Sequence, residues 1–114
     1  MSGEGRAEVL AMGQWHTLCN NTINRAAADV FCRQAGFNGV KDIIVIDPLF
    51  EVAADTVPIF PDSISCSGNE YSLASCTLTP MSLEGCQHTY DVALRCNREL
   101  IKLIAEVALS LIHI

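Results

Sequence analysis

Between Asp42 and Leu94 the sequence holds no lysine and no arginine, yet eight acids fall in that stretch: Asp42, Asp47, Glu51, Asp55, Asp62, Glu70, Glu84 and Asp91. The seven basic residues are confined to the two ends of the chain, and the net charge is −6. An acidic middle of this kind repels phosphate backbones, so nucleic acid is not an expected partner. It suits cations or basic partners, or it is simply a solvated acidic surface. The closely spaced cysteine pairs of zinc modules are also missing. Neither G-x-S-x-G nor H-E-x-x-H occurs, which removes two common catalytic frameworks. No apolar run reaches the roughly 20 residues that cross a bilayer. The opening MSGEGR has no apolar stretch behind a basic start, so it does not read as a signal peptide.

The sequence does have cysteine, in quantity. Cys19, Cys32, Cys66, Cys76, Cys86 and Cys96 form an even set in a chain of 114 residues, half of them apolar. One domain of this size gains only marginal stability from its core and benefits from covalent staples. An oxidised framework of three bridges fits better than zinc ligation or free thiols, and it implies a secreted or extracellular setting. A disulfide chain without a leader is expected to be a piece of a longer secreted or membrane-tethered protein.

The pattern along the chain predicts short elements. Arg6–Leu10 alternates as a strand, Met12-Gly13 reads as a turn, and Trp15–Leu18 reads as the returning strand with Trp15 in the core. His16 is expected at the surface or as filler. Asn24 is placed to cap a helix over residues 25–35, where Ala27, Val30, Phe31 and Gln34 recur at helical spacing ahead of Gly36. Arg25 and Arg33 are expected on one side of it. Ile43–Ile46 reads as a buried strand or loop, Ser67-Gly68-Asn69 as a turn, and Val92–Leu94 as a buried last strand. The sum is a small α+β domain over residues 1–97. Residues 98–114 form an apolar tail, read as linker or non-native sequence, on which no function is built.

Several stretches together resemble the scavenger receptor cysteine-rich domain. They are Gly5–Val9, Gly13–Cys19 (GQWHTLC), Ala28–Phe37 (ADVFCRQAGF), Cys66–Glu70 (CSGNE), Ser72–Cys76 (SLASC) and His88–Cys96. Six cysteines and several other motifs agree in order. Phe37 stands where the eight-cysteine class has another cysteine, so the resemblance is to the six-cysteine class. The family's opening strand lies ahead of this pattern and is expected to be missing or cut short. Six cysteines alone leave many pairings open; the resemblance implies Cys19–Cys86, Cys32–Cys96 and Cys66–Cys76. It also implies a curved antiparallel sheet cradling one helix.

The function implied is non-catalytic recognition of an extracellular protein, glycan or microbial ligand, as a module of a scavenger-receptor-like cell-surface or secreted protein. The alternatives are an accessory domain of a secreted enzyme, of serine protease or lysyl-oxidase type, or a structural spacer. Calcium is the one cofactor the resemblance raises. One family cluster places two aspartates after the first cysteine and a glutamate before the last; here those positions hold Asn20, Asn21 and Tyr90. The other uses two aspartates and an asparagine; here they are Asp62, Ser63 and Gly85. Calcium favours several oxygen ligands, charged ones among them, so both sets read as degraded and no cofactor is expected. Glu70 and Asp91 read as surface charge and hydrogen bonding, and His88 as structural. Asn20-Asn21-Thr22 is an N-x-[ST] sequon, which makes Asn20 a candidate glycan acceptor.

Overall fold

The computed structural model describes residues 3–45 and 52–97 and the backbone of residues 112–113. Ile46 and nearly all of the tail lie outside the described residues. The elements in chain order are strands β1 (Glu4–Arg6), β2 (Glu8–Ala11) and β3 (Gln14–Thr17), helix α1 (Arg25–Gln34), and strands β4 (Val40–Val45) and β5 (Asp62–Ser65). Strands β6 (Thr77–Pro80), β7 (Val92–Cys96) and β8 (Ile112–His113) follow, with 3-10 turns at Leu73–Ser75 and His88–Tyr90. The strands pair in three small antiparallel sheets, ordered β1-β7-β4, β3-β2-β8 and β5-β6.

The expected first strand is continuous extended chain that changes partner. Up to Arg6 it pairs with β7, and from Glu8 it pairs with β3. Ala7, fully buried, is the changeover, and its amide donates to the Val92 carbonyl at 3.0 Å. The β2–β3 hairpin closes through Met12 and Gly13, with φ of 51° and 76°. Two left-handed residues in a two-residue loop match the twist of the strands they join. Gly13 adopts that conformation freely, whereas Met12 pays for its Cβ there.

Helix α1 forms because Asn24 caps it and an apolar stripe faces inward. The Asn24 Oδ1 accepts from the Ala27 amide at 2.7 Å, satisfying an amide that the first turn leaves free. The same oxygen accepts from the Cys66 amide at 3.3 Å, and Nδ2 donates to the Cys66 carbonyl at 3.2 Å, so the cap also holds the helix to the end of β5. Ala27, Ala28, Val30, Phe31 and Cys32 are buried against Leu18, Val92 and Leu94, with Phe31 the largest wholly enclosed side chain. The alanines let the sheet approach closely. Strand β4 follows a left-handed Gly39 at φ 92°, whose missing Cβ would sit 2.7 Å from Asp29 Oδ1. That carboxylate accepts from the Val40 amide at 2.7 Å and starts the strand. The apolar residues Ile43 and Ile44 then pair with Leu94 and Ala93 of β7.

One expectation about the hairpin, Trp15 in the core, is corrected, and of the two places open to His16 the structure takes the filler. Trp15 is not core: it remains 37% exposed, whereas His16 is buried. The alternation of β3 turns His16 inward, where its ring meets Phe60 edge-on at 6.0 Å and its Nδ1 lies 3.0 Å from the Gln14 carbonyl.

Asn24→Ala is expected to destabilise the domain by about 1–2 kcal/mol, the upper end for a lost cap because the tie to Cys66 goes with it; Asn24→Asp, which keeps the accepting oxygen, should lose less in urea unfolding. Met12→Asn is expected to raise stability by some tenths to about 1 kcal/mol, since asparagine tolerates the left-handed turn; an unchanged or lower melting temperature would contradict this account of the turn.

Candidate functional site

The segment after β3 is a tight turn held on every side. Cys19 is bonded to Cys86, with Cα atoms 6.0 Å apart. The Thr22 amide and hydroxyl both donate to the Cys19 carbonyl, at 3.0 and 2.8 Å. The Asn20 amide donates to the Tyr90 carbonyl at 2.8 Å, and the Thr22 carbonyl accepts from the Ile64 amide at 2.7 Å. Asn20 and Asn21 point outward and Thr22 is buried. The structure therefore brings Asn20 beside Tyr90, the two ends of the first cation set. Their side chains offer amides and a phenol, with no carboxylate.

The nearest acid, Asp91, is not available to a cation and is not a surface charge. It is fully buried, and its Oδ2 lies 2.8 Å from His88 Nδ1. Burial pushes its carboxyl up, against the hydrogen bonds from Thr17 and His88 and the charges of His88 and Arg6. The Thr17 hydroxyl lies 3.3 Å from that same Nδ1, and His88 Nε2 lies 2.8 Å from the Val57 carbonyl. A carbonyl can only accept, so Nε2 carries a proton there. A catalytic triad needs the hydroxyl on one ring nitrogen and the acid on the other. Here both crowd Nδ1 while Nε2 is used to hold a loop, so the cluster joins β3, the residue 57 loop and the start of β7 as structure.

The second cation set is equally short of charge. Asp62 pairs opposite Pro80 at the start of β5, and Ser63 opposite Thr79, whose carbonyl accepts from the Ser63 hydroxyl at 3.4 Å. Gly85 contributes no side chain and has open space where one would be. Among the described residues one further group clusters with ligand-like spacing, Cys66, Glu70 and Cys76. Its two sulfurs are bonded to each other, with Cα atoms 4.7 Å apart, so no thiolate remains. The Glu70 carboxylate accepts from the Ser67 amide at 2.9 Å, the Gly68 amide at 2.9 Å and the Ser67 hydroxyl at 3.1 Å. These donors, the Ser67 amide foremost, lower its pKa to about 2. Glu70 closes the loop between the two cysteines.

The two arginines of α1 do not act together. Arg25 donates to the Val40 and Lys41 carbonyls at 3.4 and 3.3 Å, while Arg33 donates to those of Gly68 and Glu70 at 2.6 and 3.3 Å. Arg25 reaches the start of β4 and Arg33 the 68–70 loop, which corrects the expectation of a shared side. Arg6 pairs with Glu8 and Arg95 with Glu4. A shallow apolar groove of about 190 Å³ lies between Val9, Leu10, Phe60, Leu73 and Leu78.

The remaining bridge, Cys32–Cys96, joins α1 to β7 with Cα atoms 5.6 Å apart. One helix on antiparallel sheets with this set of bridges is the arrangement to compare with known proteins. The sequence pattern of the scavenger receptor cysteine-rich domain matches residues 1–97. The chain belongs to that family.

Its similarity extends to solved structures. The third domain of this family in murine neurotrypsin superposes with a TM-score of 0.68 at 34% identity, covering 83% of this chain and 86% of that one. The domain of mouse MARCO, solved as a dimer, gives a TM-score of 0.65 at 28% identity, over 82% of this chain and 86% of that one. Among curated proteins, lysyl oxidase homolog 2 of Gallus gallus is 41% identical over 96 residues, 84% of this chain and 12% of that protein. Lysyl oxidase homolog 3B of Danio rerio is 38% identical over 95 residues, 83% of this chain and 11% of that protein. The chain thus spans about an eighth of these relatives' length.

In this family member the buried Thr17–His88–Asp91 contact escaped sequence reasoning. The three residues lie up to 74 positions apart (17 to 91), and only the short His88–Asp91 spacing hinted at a local pair. The Glu70 loop yields a pH prediction. A lowered carboxyl favours the fold above its ordinary pKa of 4.5, and that contribution is lost as pH falls toward about 2. The Ser67 and Gly68 amide protons are expected to titrate in NMR with a midpoint near 2, and in Glu70→Gln to show no such transition; a midpoint near 4.5 would mean that the carboxylate is not held by these amides.

Proposed function

We propose that this domain is a non-catalytic recognition module of an extracellular protein, presenting loops on a disulfide-fixed frame to a protein, glycan or microbial ligand. Membership in the family supports it, and so do three bridges that suit an oxidising compartment. The observation that carries the finer reading is the fate of the charges. Arg25 and Arg33 are tied to carbonyls, Arg6 and Arg95 are paired with acids, and the stretch 42–94 has no basic residue. Such a surface favours basic partners over polyanions. Recognition proceeds without calcium, because Asn20, Asn21, Tyr90, Ser63 and Gly85 supply no carboxylate and Asp62 stands alone among them. Asn20 is the glycan acceptor. The parent is secreted or displayed on the outer side of the plasma membrane.

A second reading, an accessory domain of a secreted oxidase, is supported by the lysyl oxidase homologues among the relatives. There the module would steer a catalytic domain rather than act alone. A longer transcript decides between them: tandem copies or a membrane anchor support the receptor, an oxidase domain the accessory role.

The immobilised chain is expected to retain poly-lysine with an affinity that falls as salt rises, and not to retain dextran sulfate, in surface plasmon resonance. Its melting temperature is expected to be the same in calcium chloride and in EDTA. Retention of dextran sulfate would refute the charge argument, and a calcium-dependent rise abolished by Asp62→Ala would restore the second cation site.

A further inference from the structure

The sequon Asn20-Asn21-Thr22 is divided by the fold. Asn20 is exposed, so a glycan attached there is compatible with the folded domain. Thr22 is 2% exposed, and its hydroxyl, the group that defines the sequon, donates to the Cys19 carbonyl at 2.8 Å. The turn cannot be drawn out locally. It is anchored by the Cys19–Cys86 bridge at its start, by the Asn20 amide on the Tyr90 carbonyl, and by the Ile64 amide on the Thr22 carbonyl. The glycosylated product therefore fits the fold, while the acceptor segment in the fold does not fit an enzyme that must read the hydroxyl.

We propose that Asn20 accepts its glycan only before the Cys19–Cys86 bridge closes, so that oxidation and glycosylation compete for the same segment. This rests on the reading of Asn20 as an acceptor. In the transfer, Asn20 Nδ2 forms a bond to the anomeric carbon of a lipid-linked oligosaccharide diphosphate. The bond from that carbon to the diphosphate oxygen breaks, the lipid diphosphate leaves, and one amide proton is released. No electron changes hands in this step. The competing step joins two thiols and passes two electrons and two protons to the thiol oxidant of the secretory pathway. Cys86 lies 67 residues beyond Cys19. Nascent chain thus exposes the sequon well before its staple arrives, and that interval is the window for transfer.

The test uses the full chain, led into the secretory pathway of cultured eukaryotic cells. Occupancy of Asn20 is read by peptide mass spectrometry in the intracellular pool. Native chain is expected to be partly occupied. Cys86→Ser, which cannot close the bridge, should at least double the glycosylated fraction, while Cys76→Ser, which opens another bridge and leaves Cys19–Cys86 able to close, should leave it unchanged. A second measurement does not depend on variant folding: purified oxidised chain should resist transferase and lipid-linked donor, and reduced chain should accept the glycan. Equal occupancy in native and Cys86→Ser chains, or ready modification of the oxidised chain, overturns the competition and leaves Asn20 an acceptor. A glycan absent from every variant and from the reduced chain overturns the acceptor reading itself, and the competition with it.

Discussion

Cys32 and Cys96 are bonded across 64 residues of sequence, fixing the last turn of α1 against the end of β7. By chain-entropy reasoning, a loop of that length removes about 4 kcal/mol from the unfolded state. The position matters as much as the magnitude. Strand β7 is the middle strand of its sheet, with β1 on one side and β4 on the other. Clamping it to the helix therefore sets the distance between the helix and both neighbours, and the buried Ala27, Ala28 and Phe31 fill what remains. The Asn24 cap extends the same logic to β5, which shares no sheet with β7.

The frame turns several charged groups of its loops inward. Among the described residues these are Glu70, Asp91 and, reaching over from α1, Arg33. Glu70 is enclosed by amides, Asp91 by His88, and Arg33 by carbonyls. Buried or chelated polar groups of this kind rigidify the loops that bear them. Outward stand the acids Asp55 and Glu84, and beside them amide, phenol and apolar groups: Asn20, Asn21, Tyr71, Tyr90 and the partly exposed Trp15. Rigid aromatics on fixed loops are a low-entropy means of recognition, because little side-chain freedom is lost on contact.

The local elements were legible because each has a local cause. Asn24 and Gly36 bracket the helix, and Gly13 marks the hairpin. The failures are instructive because each needed a distant partner. Alternation along Trp15-His16 fixes that the two face opposite ways, not which way is inward. The decision came from residues 57–60, whose backbone bonds to Thr17 on both sides of the peptide. Arg25 and Arg33 are eight residues apart, about 80° round a helix, enough to send one to β4 and the other to the 68–70 loop. Disulfide pairing was not readable from the cysteine count and entered through the family resemblance. The lack of a carboxylate at Asn20, Asn21, Tyr90, Ser63 and Gly85 was readable in residue type, but the inward turn of Asp91 was not, since a buried acid and an exposed one look alike in sequence.

The Asn20 position shows how one atom changes the chemistry of a turn. A carboxylate there would offer a charged oxygen of the kind calcium favours. An amide keeps the shape, removes the charge and adds a nitrogen that a transferring enzyme can activate. With Thr22 two residues on, that nitrogen becomes chemically addressable, but the same threonine is what locks the turn onto the Cys19 carbonyl. The hydroxyl cannot serve the fold and a transferring enzyme at the same moment. On the proposal above, the turn carries a covalent choice made once, while the chain is still open.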